Sequence, residues 1–243
     1  MYNSLKNSLT RLIPKKLLFR IEPILRKCYA IFKKGSNHEC VICDFKASDW
    51  VHLPNHDLLC PNCGSLSRDR RLWQLVKENY VKNDIQILDF SPSRTLFRKW
   101  KKEKNVKHIA SDLSGDFIAD VTFDITQIPE KENTFDLIIC YHILEHVIDD
   151  VKAMSELHRV LKPNGTVLIQ TPFKEGDIYE NYNISSEAER LLHFGQEDHV
   201  RIYSIDGLKN RLENSGFTIT VKQFEKDTYL GFSDKEIILF ATK

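Results

Sequence analysis

Four cysteines stand in two close pairs, Cys40-Val41-Ile42-Cys43 and Cys60-Pro61-Asn62-Cys63, with sixteen residues between them. Two such pairs on two short turns bring four thiolates to one zinc ion, and a filled tetrahedral set leaves no position for water. The spacing therefore predicts a structural zinc site rather than a catalytic one. Metal closure also supplies the stability that the few apolar residues of this loop cannot. His52 and His56 lie between the pairs as substitute ligands, although both read as surface residues.

Other candidate groups recur at the ends of apolar runs. Asp89 lies at the end of "IQILDF", Asp112 follows "KHIAS", Asp124 comes further on, and Tyr141-His142 closes "FDLIICYH". In an open parallel sheet, ligands sit outside the carboxyl ends of the strands, and an acid about twenty residues past the first turn suits ribose hydroxyls. Asp112 lies 23 residues beyond Asp89. The turn between them, Ser91-Pro92-Ser93, has no glycine where a backbone normally approaches a cofactor closely. Ser91 and Ser93, with Arg94 beside them, offer hydroxyls, backbone amides and a guanidinium as hydrogen-bond donors instead.

A polar cluster, "HFGQEDHVRIY", contains candidates for a general base. His199 is the first choice, since neutral imidazole near pH 7 suits the role, with Glu197 and Asp198 next. His142-Ile143-Leu144-Glu145-His146 matches the H-x-x-E-H pattern of inverted zinc peptidases. That chemistry needs both histidines on one helix, whereas His142 directly follows a strand-like run. Glu145 and His146 read instead as the start of the next helix, supporting the loop.

These residues need elements to carry them. The 243 residues, 42% apolar, suffice for a full core. From about residue 84, strand-like and helix-like patterns alternate, which predicts an α/β, doubly wound, mostly parallel sheet. A helix following Asp149-Asp150 should turn Val151, Met154, Leu157 and Leu161 inward and stop at Lys162-Pro163-Asn164-Gly165, and "TVLIQT" should be a buried strand. The stretch from 172 to about 200 reads as an irregular polar insert. Ser204 should cap a helix ending at Gly216, and "FTITVKQF" and "KEIILFAT" should pair antiparallel.

Ahead of that domain, residues 1–36 form a basic arm and 37–68 a zinc ribbon, leaving 69–243 for the α/β domain. Residues 1–34 hold nine Lys/Arg against Glu22 alone, a net +8, so the rest of the chain carries −7 within the overall +1. Leu17, Ile21, Ile24, Cys28 and Ile31 recur at near-helical spacing, while Pro14 and Pro23 should limit any helix to short pieces. Such an arm either lies on an anionic membrane surface or packs against protein. The longest apolar runs, such as Ile237–Phe240, are far too short to span a bilayer, and basic residues interrupt any secretory core. A cytoplasmic location, with reduced or metal-bound cysteines, is expected.

The run "FDITQIPEKENTFDLIICYHILEHVIDDVKAMSELHRVLKPNGTVLIQTPF" resembles the central part of class I S-adenosylmethionine-dependent methyltransferases, and the resemblance extends from about residue 84 to the end. The zinc-ribbon start, "CPNCGSLSRDRRLW" and "FGQEDHVRIYS" resemble a bacterial subgroup of that family. The resemblance implies a Rossmann-like, seven-stranded sheet and S-adenosylmethionine as cofactor. It places Asp89 near the methionine part, Asp112 on the ribose, Asp124 with Ile125 beside the adenine, and Tyr141 and His142 over the cofactor.

A small-molecule or saccharide methyltransferase is the expected function. An RNA methyltransferase that uses the arm and ribbon as a clamp is a second reading, opposed by the acidic remainder of the chain. A zinc-stabilised interaction module without chemistry is a third, which the missing glycines favour.

Overall fold

The computed structural model describes residues 15–81 and 84–243, with side chains from residue 17 onward. The chain divides into two compact units. The first comprises residues up to Asn79 together with Ser93–Lys99 and Glu225–Glu236; the second comprises Tyr80–Pro92, Trp100–Phe224 and Ile237–Lys243.

The first unit begins with helix α1 (Lys15–Ile31), which runs unbroken through Pro23. This corrects the expectation of short pieces; Pro14 and the rest of residues 1–14 lie outside the described residues. Proline lacks the N–H that would bond the carbonyl four residues back, and the Arg98 guanidinium takes its place, donating to the Phe19 carbonyl at 2.6 Å. The same guanidinium covers the Phe19 ring at 4.0 Å and pairs with Glu22 at 3.2 Å. Burial alone would raise the Glu22 pKa, yet the surrounding Arg26, Arg94 and Arg98 hold it below its ordinary value. Ala30 is buried, and Phe19 and Glu22 are half-buried against Arg98. Most of the stripe read as apolar from the sequence, including Leu17, Ile24 and Ile31, is exposed.

Two small antiparallel pairs follow, β1 (Lys34–Glu39) with β2 (Lys46–Ala47) and β3 (Val51–His52) with β4 (Leu58–Leu59). Helix α2 (Ser67–Asn79) comes next, and α3 (Arg94–Trp100) returns after an excursion into the second unit. Two buried arginines of α2 tie in the distant segment 225–236. Arg70 donates to the carbonyls of Ser65, Leu58, Leu230 and Gly231 and lies 4.2 Å over Trp50. Arg71 pairs with Glu236 at 2.7 Å and donates to the carbonyls of Glu225 and Ser233. Gly231, at φ +68°, leaves no room for a side chain: a Cβ there would stand 2.6 Å from Trp50.

The second unit is built on a six-stranded sheet. Its strands are β5 (Ile85–Phe90), β6 (Val106–Ser111), β7 (Phe135–Tyr141), β8 (Leu161–Gln170), β11 (Thr218–Phe224) and β12 (Glu236–Thr242), in the order β11-β12-β8-β7-β5-β6. β5 pairs in parallel with β6 on one side and β7 on the other; β7 and β8 are parallel, and β12 is antiparallel to β8. The buried core includes Leu88, Ile138, Met154, Leu157, Ile169, Leu208 and Leu239.

The count corrects the expected seven strands. Beside β6 the chain makes one parallel bridge, Ser111 to Val121. There the Asp120 carboxylate accepts from the Ala110 amide at 3.0 Å and pairs with Lys101, so side-chain bonding replaces a longer ladder.

Helix α4 (Asp150–Val160) is capped by Asp149, which accepts from the Lys152 amide at 3.0 Å. Its buried face comprises Asp150, Ala153, Met154, Leu157 and Val160, whereas Val151, expected inside, is 54% exposed. The insert after β8 is also more ordered than expected. It contains β9 (Tyr179–Glu180) paired with β10 (Arg201–Ile202), and helix α5 (Glu187–Phe194), which opens with a reciprocal Ser186/Glu189 capping box. Helix α6 (Ile205–Asn214) follows, capped by Ser204 as expected.

Glu180 joins this insert to the core, accepting from Arg201 at 3.0 Å and from Arg211, which also reaches Asp150 at 2.7 Å. Burial pushes the Glu180 carboxyl up, but the Arg211 and Arg201 guanidiniums outweigh it and leave the pKa lowered. A lowered folded value stabilises the protein above the ordinary glutamate range, and this stability is lost as pH falls through the folded value. Glu180→Gln should therefore lose about 2 kcal/mol near neutral pH, with the gap to the native protein closing in acid. Urea unfolding across pH measures this, and a gap independent of pH would contradict it.

Candidate functional site

The four cysteines converge as their spacing predicts. Their sulfurs lie within 4.8 Å of one another, with Cys40 and Cys63 3.7 Å apart and Cys43 and Cys60 3.8 Å apart. Metal–sulfur bonds of about 2.3 Å in a regular tetrahedron require sulfurs about 3.8 Å apart, far longer than a disulfide. The local backbone serves this geometry. In each turn the residue after the second cysteine is left-handed, Asp44 at φ 55° and Gly64 at φ 79°. The Asp44 amide donates to the Cys40 carbonyl at 2.8 Å, and the Gly64 amide to the Cys60 carbonyl at 3.0 Å. The Asn62 amide group donates to Cys43, and the Ser65 hydroxyl lies against Cys40 and Cys63. His52 and His56 are exposed and outside this cluster; His52 faces Asp49.

The second site lies where the order of the second unit's sheet reverses. Because β5 stands between two parallel partners, β5, β6 and β7 end on one edge. Asp89 is 1% exposed and bonds His108 across the ladder at 3.1 Å. Burial raises its pKa, opposed by His108. The turn that lacks glycine places Ser91 itself at φ 50°, a conformation that strains a side chain. Its amide donates to the Ser111 carbonyl at 2.7 Å and its hydroxyl to Asp112 at 2.8 Å. Asp112 also accepts from the Ser114 hydroxyl and from the amides of Gly115 and Phe117. Two hydroxyl donors thus stand on one buried carboxylate, the chemistry that a ribose diol presents.

The other expected cofactor residues take several places. Ser93 belongs to the first unit, where its hydroxyl accepts from the Leu96 amide at the start of α3. Asp124 is exposed and holds Thr126 by amide and hydroxyl, each at 2.8 Å, while Ile125 is buried in the core. Tyr141 ends β7. His142 is left-handed at φ 55°, and its Nδ1 lies 3.2 Å from Glu145. Strained non-glycine residues therefore leave the ends of both β5 and β7.

Among the residues expected to handle a proton, His199 is 3% exposed and Nε2 has no hydrogen-bond partner. Burial first, and then neighbouring His146, push its pKa down. Glu197 is exposed, and Asp198 receives His146 at 3.1 Å. The structure adds Glu145 and His146 to His199: ligand atoms of the three lie within 4.8 Å of one another. Arg201, fully buried, fixes this arrangement by donating to the carbonyls of Leu144, Val147 and Ile148. The sequence signal for Glu145 and His146 was the H-x-x-E-H run, with His142 at the strand end as expected; His199 joins them from a distant position that the run does not indicate.

Residues 65–222, which are 158 of the 243, match a family described as a methyltransferase domain. The uncharacterized protein MJ0638 of Methanocaldococcus jannaschii is 26% identical over 174 residues, covering 67% of this chain and 72% of that protein. The human mitochondrial arginine-hydroxylase NDUFAF5 is 34% identical over 96 residues, 39% of this chain and 28% of that protein. A SAM-dependent methyltransferase from Archaeoglobus fulgidus superposes with a TM-score of 0.53 at 18% identity, over 72% of this chain and 93% of that one, a likeness of fold.

A strong chelator should open the first unit before the second. The expected result is rapid amide hydrogen exchange in residues 40–66, with β5 to β8 still protected. Unchanged exchange in 40–66 after metal removal would count against a metal-dependent fold there.

Proposed function

Because the chain belongs to the methyltransferase domain family, we propose that it transfers a methyl group from S-adenosylmethionine to a hydroxyl of a small molecule or saccharide. The observation that carries this reading is the Asp112 carboxylate at the strand edge, already satisfied by two hydroxyls and two amides. The four cysteines hold a structural zinc ion, which their donor set and sulfur spacing fit.

The cofactor supplies a methyl group made electrophilic by its sulfonium; the protein holds the acceptor in line and keeps water out. Asp112 takes the ribose hydroxyls in place of Ser91 and Ser114. Asp89 anchors the turn from below through His108, and Asp124 with Ile125 borders the adenine. Tyr141 and His142 close over the cofactor from the end of β7, and Ser91 and Ser93 flank the turn. The acceptor's proton leaves toward the Glu145, His146 and His199 group, where His199 Nε2 is an available lone pair.

The negative balance beyond residue 34 supports a neutral acceptor over a polyanion. Leu17, Ile24, Leu25, Ile31 and Phe32 lie exposed near Arg20 and Lys27, which supports contact of α1 with an anionic lipid surface. No helix among the described residues is long and apolar enough to cross a membrane.

Calorimetric titration of zinc-loaded protein with S-adenosylmethionine should give saturable heat, and Asp112→Asn should weaken binding about 10–100-fold. No heat from the native protein would overturn the reading. Labelled methyl transfer to RNA but not to saccharides would replace the acceptor. For the arm, the protein should sediment with vesicles containing phosphatidylserine but not with phosphatidylcholine alone, and Ile24→Asp should abolish this. Equal sedimentation of that variant would refute a role for the apolar stripe.

A further inference from the structure

We propose that Glu145, His146 and His199 bind a divalent first-row transition-metal ion, a second metal site separate in chemistry from the four cysteines. The three ligand atoms lie within 4.8 Å of one another. Metal bonds of about 2.0–2.2 Å place such atoms about 3–4 Å apart, within reach of side-chain rotation.

Two of these residues each carry a buried atom without a partner. Glu145 is 1% exposed and His199 3% exposed, and Glu145 Oε2 and His199 Nε2 have no hydrogen bond. His199 has the Phe194 backbone in hydrogen-bonding contact with its ring, which leaves Nε2 as a bare lone pair. A carboxylate oxygen and an imidazole lone pair are both acceptors, so neither satisfies the other, and leaving each unpaired costs about 1–3 kcal/mol. A cation satisfies both.

The opposite side of each ligand is already held. His142 Nδ1 lies 3.2 Å from Glu145 Oε1, and Asp198 Oδ2 3.1 Å from His146 Nδ1. The Val200 amide donates to the Glu145 carbonyl at 2.9 Å, which ties the two ligand-bearing segments together. Metal-binding histidines characteristically have the second nitrogen fixed by a carboxylate or carbonyl, which sets the tautomer and the ring orientation. A chance cluster of surface carboxylates has none of this.

The donor set selects the ion. Two imidazoles and one carboxylate favour zinc, iron(II), cobalt(II) or manganese(II) over magnesium and calcium, which prefer all-oxygen shells. Three protein ligands leave open positions, unlike the closed cysteine set. A hydroxyl bound there releases its proton to solvent near neutral pH, since a metal ion lowers the pKa of coordinated oxygen. The assignment of that hydroxyl to the methyl acceptor rests on the methyl-transfer reading; the metal site does not. With the ion bound, His199 is a ligand and no longer the base.

The test is made on the full chain without S-adenosylmethionine, so it is independent of methyl transfer. Zinc-loaded protein is titrated with cobalt(II), followed by metal analysis and by the visible absorption of the cobalt. The native protein should bind a cobalt equivalent without thiolate-to-metal charge transfer while keeping its zinc. His146→Gln with His199→Gln should abolish that equivalent. Asp198→Ala, an exposed change that cannot unfold the core, should weaken cobalt binding about 10–100-fold. If the native protein binds cobalt only by displacing zinc, with thiolate charge transfer, the proposal fails. It also fails if the double variant retains the extra equivalent with a native melting curve.

Discussion

Parallel pairing of β5 with β6 on one side and β7 on the other obliges the chain to leave all three strands at the same sheet edge. Each exit must then turn sharply away from a crowded rim, and two of the turns are made by residues with a side chain, Ser91 and His142, in the left-handed region. Strain of this kind costs about 1–3 kcal/mol at each position and persists only where its surroundings fix it. Here the surroundings are the Asp112 nest on one side and the Glu145 pair on the other. The rim is therefore polar, with both strained turns hydrogen-bonded within the chain.

Much of the parallel core was legible, because "IQILDF", "FDLIICY" and "TVLIQT" are short apolar runs alternating with helical patterns, as strands buried on both faces do. Helix starts were legible as well: Ser204 caps α6 as its position predicts, and Asp149 and Asp150 stand at the start of α4, where Asp149 is the cap. The Ser186/Glu189 capping box has the S-x-x-E spacing of such a start, set within a polar stretch. What escaped the sequence were long-range substitutions. The continuity of α1 through Pro23 depends on Arg98, 79 residues from the carbonyl it rescues. The seventh strand gives way because the Asp120 carboxylate occupies the edge amide of Ala110. No local pattern announces either event.

The candidate site divides in the same way. The cysteine set is a matter of local spacing, so it could be read directly. Asp112 could be placed by its distance from the first strand, but its saturation by Ser91 and Ser114 could not, since those bonds depend on a strained turn. The Glu145, His146 and His199 cluster spans more than fifty residues and needs the Arg201 clamp to exist. Its sequence trace was the H-x-x-E-H run, in which His142 follows a strand end, as read from the sequence, and lies beside Glu145; nothing local points to position 199.

The first unit has a consequence for how the protein is made. Arg70 satisfies itself on the carbonyls of Leu230 and Gly231, which follow it by 160 and 161 residues. At ribosomal speeds of about 5–20 residues per second, those acceptors are synthesised some 8–30 s after the arginine. Throughout that interval all four cysteines are already in the nascent chain, while two guanidiniums of α2 await their final carbonyls. The four cysteines thus stand complete in the nascent chain well before segment 225–236, whose carbonyls finish the hydrogen-bond shells of Arg70 and Arg71.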